Sequence, residues 1–253
     1  MTRGLWDREM VALILIAAML PVALAWLWYG GIAAALRLVL VLLLAGLWHL
    51  IFMLARAQPP SFAGALTALA VARLAPEELW PIQMVLGISF GAVMAELVFG
   101  GWGRNVLNPA TVTLVFLGFG FSAAPWPDLP LPVTWAAIPA ALIGIIAGVI
   151  WGAVLVGTIV ALVGLPVGAV LPAAGLALVL LVADPVAGAS TRLGAWLGGL
   201  CYGLLVLLFA LHWPGAAPVQ MAVSAALMVS LLAPLLDEAA IALWLARRRR
   251  RHG

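Results

Sequence analysis

Lysine is absent: all 12 basic residues of this 253-residue chain are arginine. Charge of either sign is scarce, at 8% of residues, against 66% hydrophobic residues and a mean hydropathy of +1.23. A soluble domain is about half apolar. So little charge excludes both an ordinary soluble enzyme and a disordered chain. One cysteine, Cys201, sits inside an apolar run, which leaves no disulfide framework and no cysteine-bound cluster within the chain. An iron–sulfur centre would need ligands from another subunit and is not expected. The histidines His49, His212 and His252 are far apart in sequence, which argues against a bis-histidine haem. His49 and His212 read as residues near helix ends or in quiet packing. No small-residue cleavage site follows the first apolar segment, which begins near Met10, so no cleavable leader is expected.

What is present is a series of apolar runs separated by short polar breaks, the pattern of an all-α, multi-pass membrane protein. The runs fall at about 10–28, 32–55, 62–75, 79–99, 107–123, 133–149, 151–165, 168–183, 194–211 and 217–237. Those at 62–75, 107–123 and 168–183 are short for a full crossing, which takes about 20 residues. The stretch 133–165 reads either as one tilted helix or as two split near Gly148 to Gly152. Charge decides between them. With Arg3 and Arg8 cytoplasmic, Arg56 and Arg104 fall inside, and Glu77, Glu78 and Asp128 fall outside. Ten segments then keep Arg192 and the tail Arg247-Arg248-Arg249-Arg250-Arg251 inside, as the positive-inside rule requires, with both termini cytoplasmic. That tail supplies most of the formal charge of +3 and is read as a membrane-flanking anchor rather than a nucleic-acid patch. The expected organisation is one integral membrane domain of two inverted five-helix repeats, about 10–123 and 133–237, followed by a basic tail at 246–253. Gly64-Ala65-Leu66-Thr67-Ala68-Leu69-Ala70 and Gly175-Leu176-Ala177-Leu178-Val179-Leu180 are the weak internal likeness behind that division.

The most informative break is Gly100-Gly101-Trp102-Gly103-Arg104-Asn105-Val106-Leu107-Asn108-Pro109-Ala110-Thr111. Non-helical backbone at membrane depth must line a cavity or be buried in protein. Asn105 and Asn108 have two readings. In one, Asn108 caps a helix that starts at Pro109 and Asn105 stabilises the turn. In the other, their amides and the free N–H groups bind a polar ligand, and the glycines allow close approach. Trp102 is a stacking candidate for a planar ligand. Trp6, Trp26, Trp28, Trp80, Trp126, Trp135 and Trp213 fall near span ends, as an interfacial belt would. Asp184 is a costly intramembrane carboxylate whose partner is expected to be Arg192 or Arg104, unless it caps the next turn. Glu96 is expected to pair with Arg104, face a cavity, or relay protons or a cation, with Asp184 as a second relay candidate. Asp237 and Glu238 are expected to meet water, and Arg37 and Arg56 to snorkel.

On these residues the chain resembles the NqrB/RnfD family, membrane subunits of the sodium-pumping NADH:quinone oxidoreductase Nqr and of the Rnf complex. The family pattern of glycines followed by Asn-x-x-Asn-Pro-Ala is met by Gly103-Arg104-Asn105-Val106-Leu107-Asn108-Pro109-Ala110. Its Thr-Asp-Pro-Val-Ser is approximated by Ala183-Asp184-Pro185-Val186-Ala187, and its late proline–aspartate helix end by Ala233-Pro234-Leu235-Leu236-Asp237. The resemblance implies a urea-transporter-like fold of ten helices and flavin-mediated electron transfer. The family's covalent FMN threonine motif, Ser-Gly-Ala-Thr, is missing, and the segment that would carry it is the short 124–132. A near-miss ends at Ser190 and Thr191, on what the topology makes the inner side, so covalent flavin there is not expected. The expectation is a compact relative with non-covalent FMN or riboflavin near Gly101, Trp102, Gly103, Asn105, Asn108, Thr111 and Asp184. It would work with other membrane and extracytoplasmic redox subunits, including a flavin-bearing domain, in a bacterial inner membrane. No catalytic residue and no metal ligand is singled out. Two other functions fit the same pattern: a channel or transporter for a small polar solute, and a cofactor-free scaffold for redox partners.

Overall fold

The computed structural model describes residues 7–56, 61–163, 168 and 170–252. Arg3 and Trp6 lie outside the described residues, as do the side chains of Arg56, Arg249, Arg250, Arg251 and His252. The architecture of the described residues is all-helical. The first helix, α1 (Arg8–Arg56), bends at Gly31, where φ is 57° and ψ −145°. Only glycine takes that conformation without strain. The two arms return on each other: the Glu9 carboxylate near the start of α1 accepts a 2.9 Å bond from the Phe62 N–H, just beyond its end.

Then come α2 (Ala63–Leu74), α3 (Pro81–Gly91), α4 (Pro109–Gly120), α5 (Leu131–Trp135), α6 (Ala137–Ile146), α7 (Gly152–Leu162), α8 (Val170–Ala177), α9 (Arg192–His212) and α10 (Pro218–His252). The stretch left open at 133–165 is two helical units, parted by 147–151 with Gly148 at φ 76°. Proline opens α3, α4 and α10, where its missing N–H costs nothing. Two helices widen into single π-turns before a polar break: α3 at Ala92–Glu96 and α8 at Leu178–Val182. Among the described residues, four helical stretches are long and apolar enough to cross a membrane: α1, Pro81–Phe99, α9 and α10. The remaining helices are shorter, including α2 and α4 of 12 residues each, as their brief apolar runs predict. α10 runs past the expected end at 237 and carries the basic tail as continuous helix; Arg248 lies 5.3 Å from the Trp244 ring.

Cross-chain bonds sort into two ends of the bundle. At one end Arg8 Nη1 donates to Trp102 O (3.2 Å), Asn108 meets Asp184, and Asp237 meets Ser190 and Thr191. At the other, Arg37 Nη2 donates to Ala75 O (2.6 Å) and Pro76 O (2.8 Å), Arg73 Nη2 to Asp128 O (3.1 Å), and Glu77 N–H to Pro125 O (2.8 Å). Arg37 therefore turns inward onto the end of α2 instead of snorkelling. The carbonyls there are short of donors and carry the negative end of the helix dipole, so a guanidinium is held more strongly by them than by the membrane surface.

One continuous apolar cluster holds Trp26, Leu74, Ile88, Leu114, Ile150, Leu176 and Tyr202. Trp26 thus belongs to the core, whereas Trp28, Trp80 and Trp135 point outward as belt residues do. Where helices approach closely, glycine lines the contact. A Cβ on Gly199 of α9 would strike the Val154 carbonyl of α7, and one on Gly91 of α3 would strike Thr113 Oγ1 of α4. Without a hydrophobic drive between helices in lipid, such close backbone contact is what holds them.

Candidate functional site

The turn after α3 is built by three glycines in left-handed backbone: Gly100 (φ 107°), Gly101 (φ 89°) and Gly103 (φ 97°). A side chain is disfavoured at all three. Asn105 ties the turn to itself, accepting from Gly103 N–H (3.1 Å) and donating through Nδ2 to Leu107 O (3.0 Å). Asn108 caps α4: its Oδ1 accepts the Thr111 N–H at 3.1 Å. Its Nδ2 crosses to the other half of the chain and donates to Asp184 Oδ2 at 2.9 Å. Asp184 Oδ1 accepts from Val186 N–H at 3.0 Å, so this carboxylate both makes an Asx turn and meets the first break.

The partners expected for the two acidic residues are corrected by this geometry. Asp184 meets an asparagine amide and neither arginine. Arg104 is exposed and lies over Gly100, and Arg192 borders an open cleft of about 800 Å³ with Trp151 and Trp196. Glu96, with no measurable exposure, meets His49: Nε2 lies 3.0 Å from Oε1. Both arginines are exposed, so desolvating them onto a carboxylate offers little.

Asp237 does not simply meet water. Its carboxylate accepts from the N–H and hydroxyl of Ser190 (2.7 and 2.8 Å) and from those of Thr191 (2.9 and 2.6 Å). Thr191 also caps α9 by accepting the Gly194 N–H at 3.0 Å. Both hydroxyls considered for covalent flavin are thereby engaged in joining α9 to α10.

Trp102 is buried and faces a cavity shared with Leu15, Met19, Asn108 and Asp184. The cavity is about 40 Å³, room for a water molecule. A pocket for an aromatic tricycle starts at roughly 300 Å³. The asparagine amides and the packed indole therefore do not fit a flavin ring in this arrangement. Thr111 is buried at the start of α4 with its N–H already capped. Gly101 donates its N–H to Glu96 O at 3.1 Å, which ties the turn back to the π-turn.

Sequence reasoning missed His49. A histidine in an apolar run carries no local mark of a partner 47 positions away. The only usable signal was that a buried glutamate requires one.

The sequence profile of the NQR2, RnfD, RnfE family matches residues 6–131, which include α1 to α4 and the glycine–asparagine turn. The chain belongs to this family. Curated relatives, each named as the B subunit of a Na(+)-translocating NADH-quinone reductase, are similar to it. That of Klebsiella pneumoniae subsp. pneumoniae is 39% identical over 83 residues, 33% of this chain and 20% of that protein. That of Neisseria meningitidis serogroup A is 35% identical over 98 residues, 39% of this chain and 23% of that protein. That of Pseudomonas paraeruginosa is 27% identical over 274 aligned positions, 83% of this chain and 68% of that protein. The matched part thus spans about a fifth of the length of the Klebsiella and Neisseria relatives. As a member of the NQR2, RnfD, RnfE family, the chain keeps its glycine–asparagine turn inside the matched region.

Proposed function

We propose that this chain is the membrane subunit of an electron-transport complex of the Nqr and Rnf kind, in a bacterial inner membrane with both ends cytoplasmic. The observation that carries the reading is the Asn108–Asp184 bond. It locks the turn within the family-matched region to the second polar break at a half-buried contact between the two halves of the chain. Such broken-helix contacts are where membrane proteins of repeat construction hold ions and polar ligands. The relatives' names supply the redox setting and sodium movement. The arginine-rich end, with Arg8, Arg104, Arg192 and the tail, is the cytoplasmic one by the charge rule.

The small cavity and the engaged amides support a framing role for the chain in redox chemistry. The reading assigns the flavin to partner subunits, one of them a flavin-bearing domain, and to this chain the membrane frame and its polar core. Any coupled ion movement then passes Glu96 or Asp184.

The test is purification of the full chain alone and with its native membrane partners, followed by absorption spectra before and after acid precipitation. The expected result is a colourless lone chain and a yellow complex. Yellow lone chain that releases flavin into acid would restore a ring at the glycine–asparagine turn. A lone chain that conducts a polar solute into liposomes, and brings down no redox partner, would favour the transporter reading.

A further inference from the structure

The buried pair formed by His49 and Glu96 has a geometry of its own. His49 Nδ1 lies 2.9 Å from Ala45 O, one turn back in α1. A carbonyl only accepts, so Nδ1 carries a hydrogen whatever the charge of the ring. Nε2 is left facing Glu96 Oε1 at 3.0 Å. A contact of that length needs one hydrogen on the line, supplied by either side. The other carboxyl oxygen, Oε2, is buried and has no hydrogen-bond partner. An ionised carboxylate with a bare buried oxygen is costly; the neutral acid, donating to Nε2 and leaving a carbonyl oxygen bare, is far less so.

The backbone is arranged to present this acid. Glu96 ends the π-turn and leaves helical geometry, with φ −125° and ψ −63°. Single π-turns inside α-helices recur at functional sites because they re-aim one side chain. Trp48 Nε1 donates to Ser89 Oγ at 2.7 Å and pins α1 to α3 one residue from His49. Gly64 of α2 lies under the imidazole, where a Cβ would sit 3.0 Å from Cε1. Two further titratable groups act on the pair through charge: Glu9, in the other arm of α1, and Asp184, in the break after α8. Glu9 is engaged by Arg8 and Asp184 by Asn108. Arg73, the charged residue of α2, is bound at the far end to Asp128 O, and α4 carries no charged residue. Among the described residues no group of three His, Cys, Asp or Glu side chains could hold a metal ion.

We propose that His49 and Glu96 form one buried proton-binding site, with a single proton shared along the Nε2–Oε1 line. Transfer of that proton from Oε1–H to Nε2 converts a neutral pair into carboxylate and imidazolium, with no change in net charge and no electron moved. Exchange with the outside runs past the imidazole, whose side chain is 16% exposed against 1% for Glu96. The inference deepens the ion-movement part of the proposed function, yet it needs no redox partner, so either can fail alone.

The experiment uses the full chain in lipid nanodiscs with 15N-labelled histidine and 13C-labelled glutamate carboxyls, in a His212→Gln, His252→Gln background. Nuclear magnetic resonance is recorded across a pH series, for this protein and for Glu96→Gln and Gly64→Ala. In a shared site the two groups titrate as a unit. Every step at the His49 nitrogens should appear at the Glu96 carboxyl carbon at the same pH. The His49 midpoint should move in Glu96→Gln, and also in Gly64→Ala, which changes no charge and only pushes the ring. A His49 midpoint identical in all three proteins, or separate midpoints at the two nuclei, overturns the proposal. Where a variant does not fold, coincidence or its absence in the parent protein decides.

Discussion

The two polar breaks, 100–108 and 183–191, do the same job by different chemistry. Each follows a π-turn and ends in a side-chain cap on the next helix: Asn108 on α4, Thr191 on α9. The first break gets its shape from backbone freedom, with three glycines at positive φ and an asparagine bonded within the turn. The second has no glycine at positive φ; beside its own Asx turn at Asp184 it leans on a carboxylate it borrows, the four bonds that Asp237 of α10 accepts from Ser190 and Thr191. One break is thus locally encoded and the other is completed by a distant helix. They meet in the Asn108–Asp184 bond.

Substitutions separate the two designs. Asn108→Ala removes a helix cap and leaves a half-buried carboxylate without its cross-chain donor. It is expected to cost about 2–4 kcal/mol, read as lost thermal stability in detergent. Asp184→Asn in the same protein should recover part of that loss, because a neutral amide left unpaired is cheaper than a charge. Gly103→Ala forces an alanine to φ 97° and is expected to cost about 1–3 kcal/mol by the same measurement. A negligible change there would mean the first break is not set by its backbone. Asp237→Asn keeps the size and removes the charge from the second break. About 1–2 kcal/mol should go, with faster hydrogen exchange at the Ser190 and Thr191 amides and not at Gly103. Arg192→Ala is expected to change stability by less than about 0.5 kcal/mol, since its side chain borders an open cleft. A large loss would restore Arg192 as the partner of Asp184.

Helix existence was legible from the apolar runs, and so was the shortness of α2 and α4. Proline and asparagine at 108–109 placed the start of α4 to the residue, because both act through their own backbone. The chain breaks between α6 and α7, at the glycines where a split of 133–165 was expected. Partner choice was not legible. Opposite charge suggested Arg192 or Arg104 for Asp184 and Arg104 for Glu96, whereas these two carboxylates meet an amide and an imidazole. Asp237 looked like a solvated helix end because its four donors stand 46 and 47 positions away.

Composition and the order of apolar runs were enough to determine an all-α membrane protein, its breaks and its caps, because each depends on a few adjacent residues and on the cost of bare backbone in lipid. Only the folded bundle decided that Asn108 faces Asp184, that His49 faces Glu96, and that Trp102 borders a space of about 40 Å³. Those facts follow from how helices pack side by side, and desolvation, not nominal charge, selects the partner once they have packed.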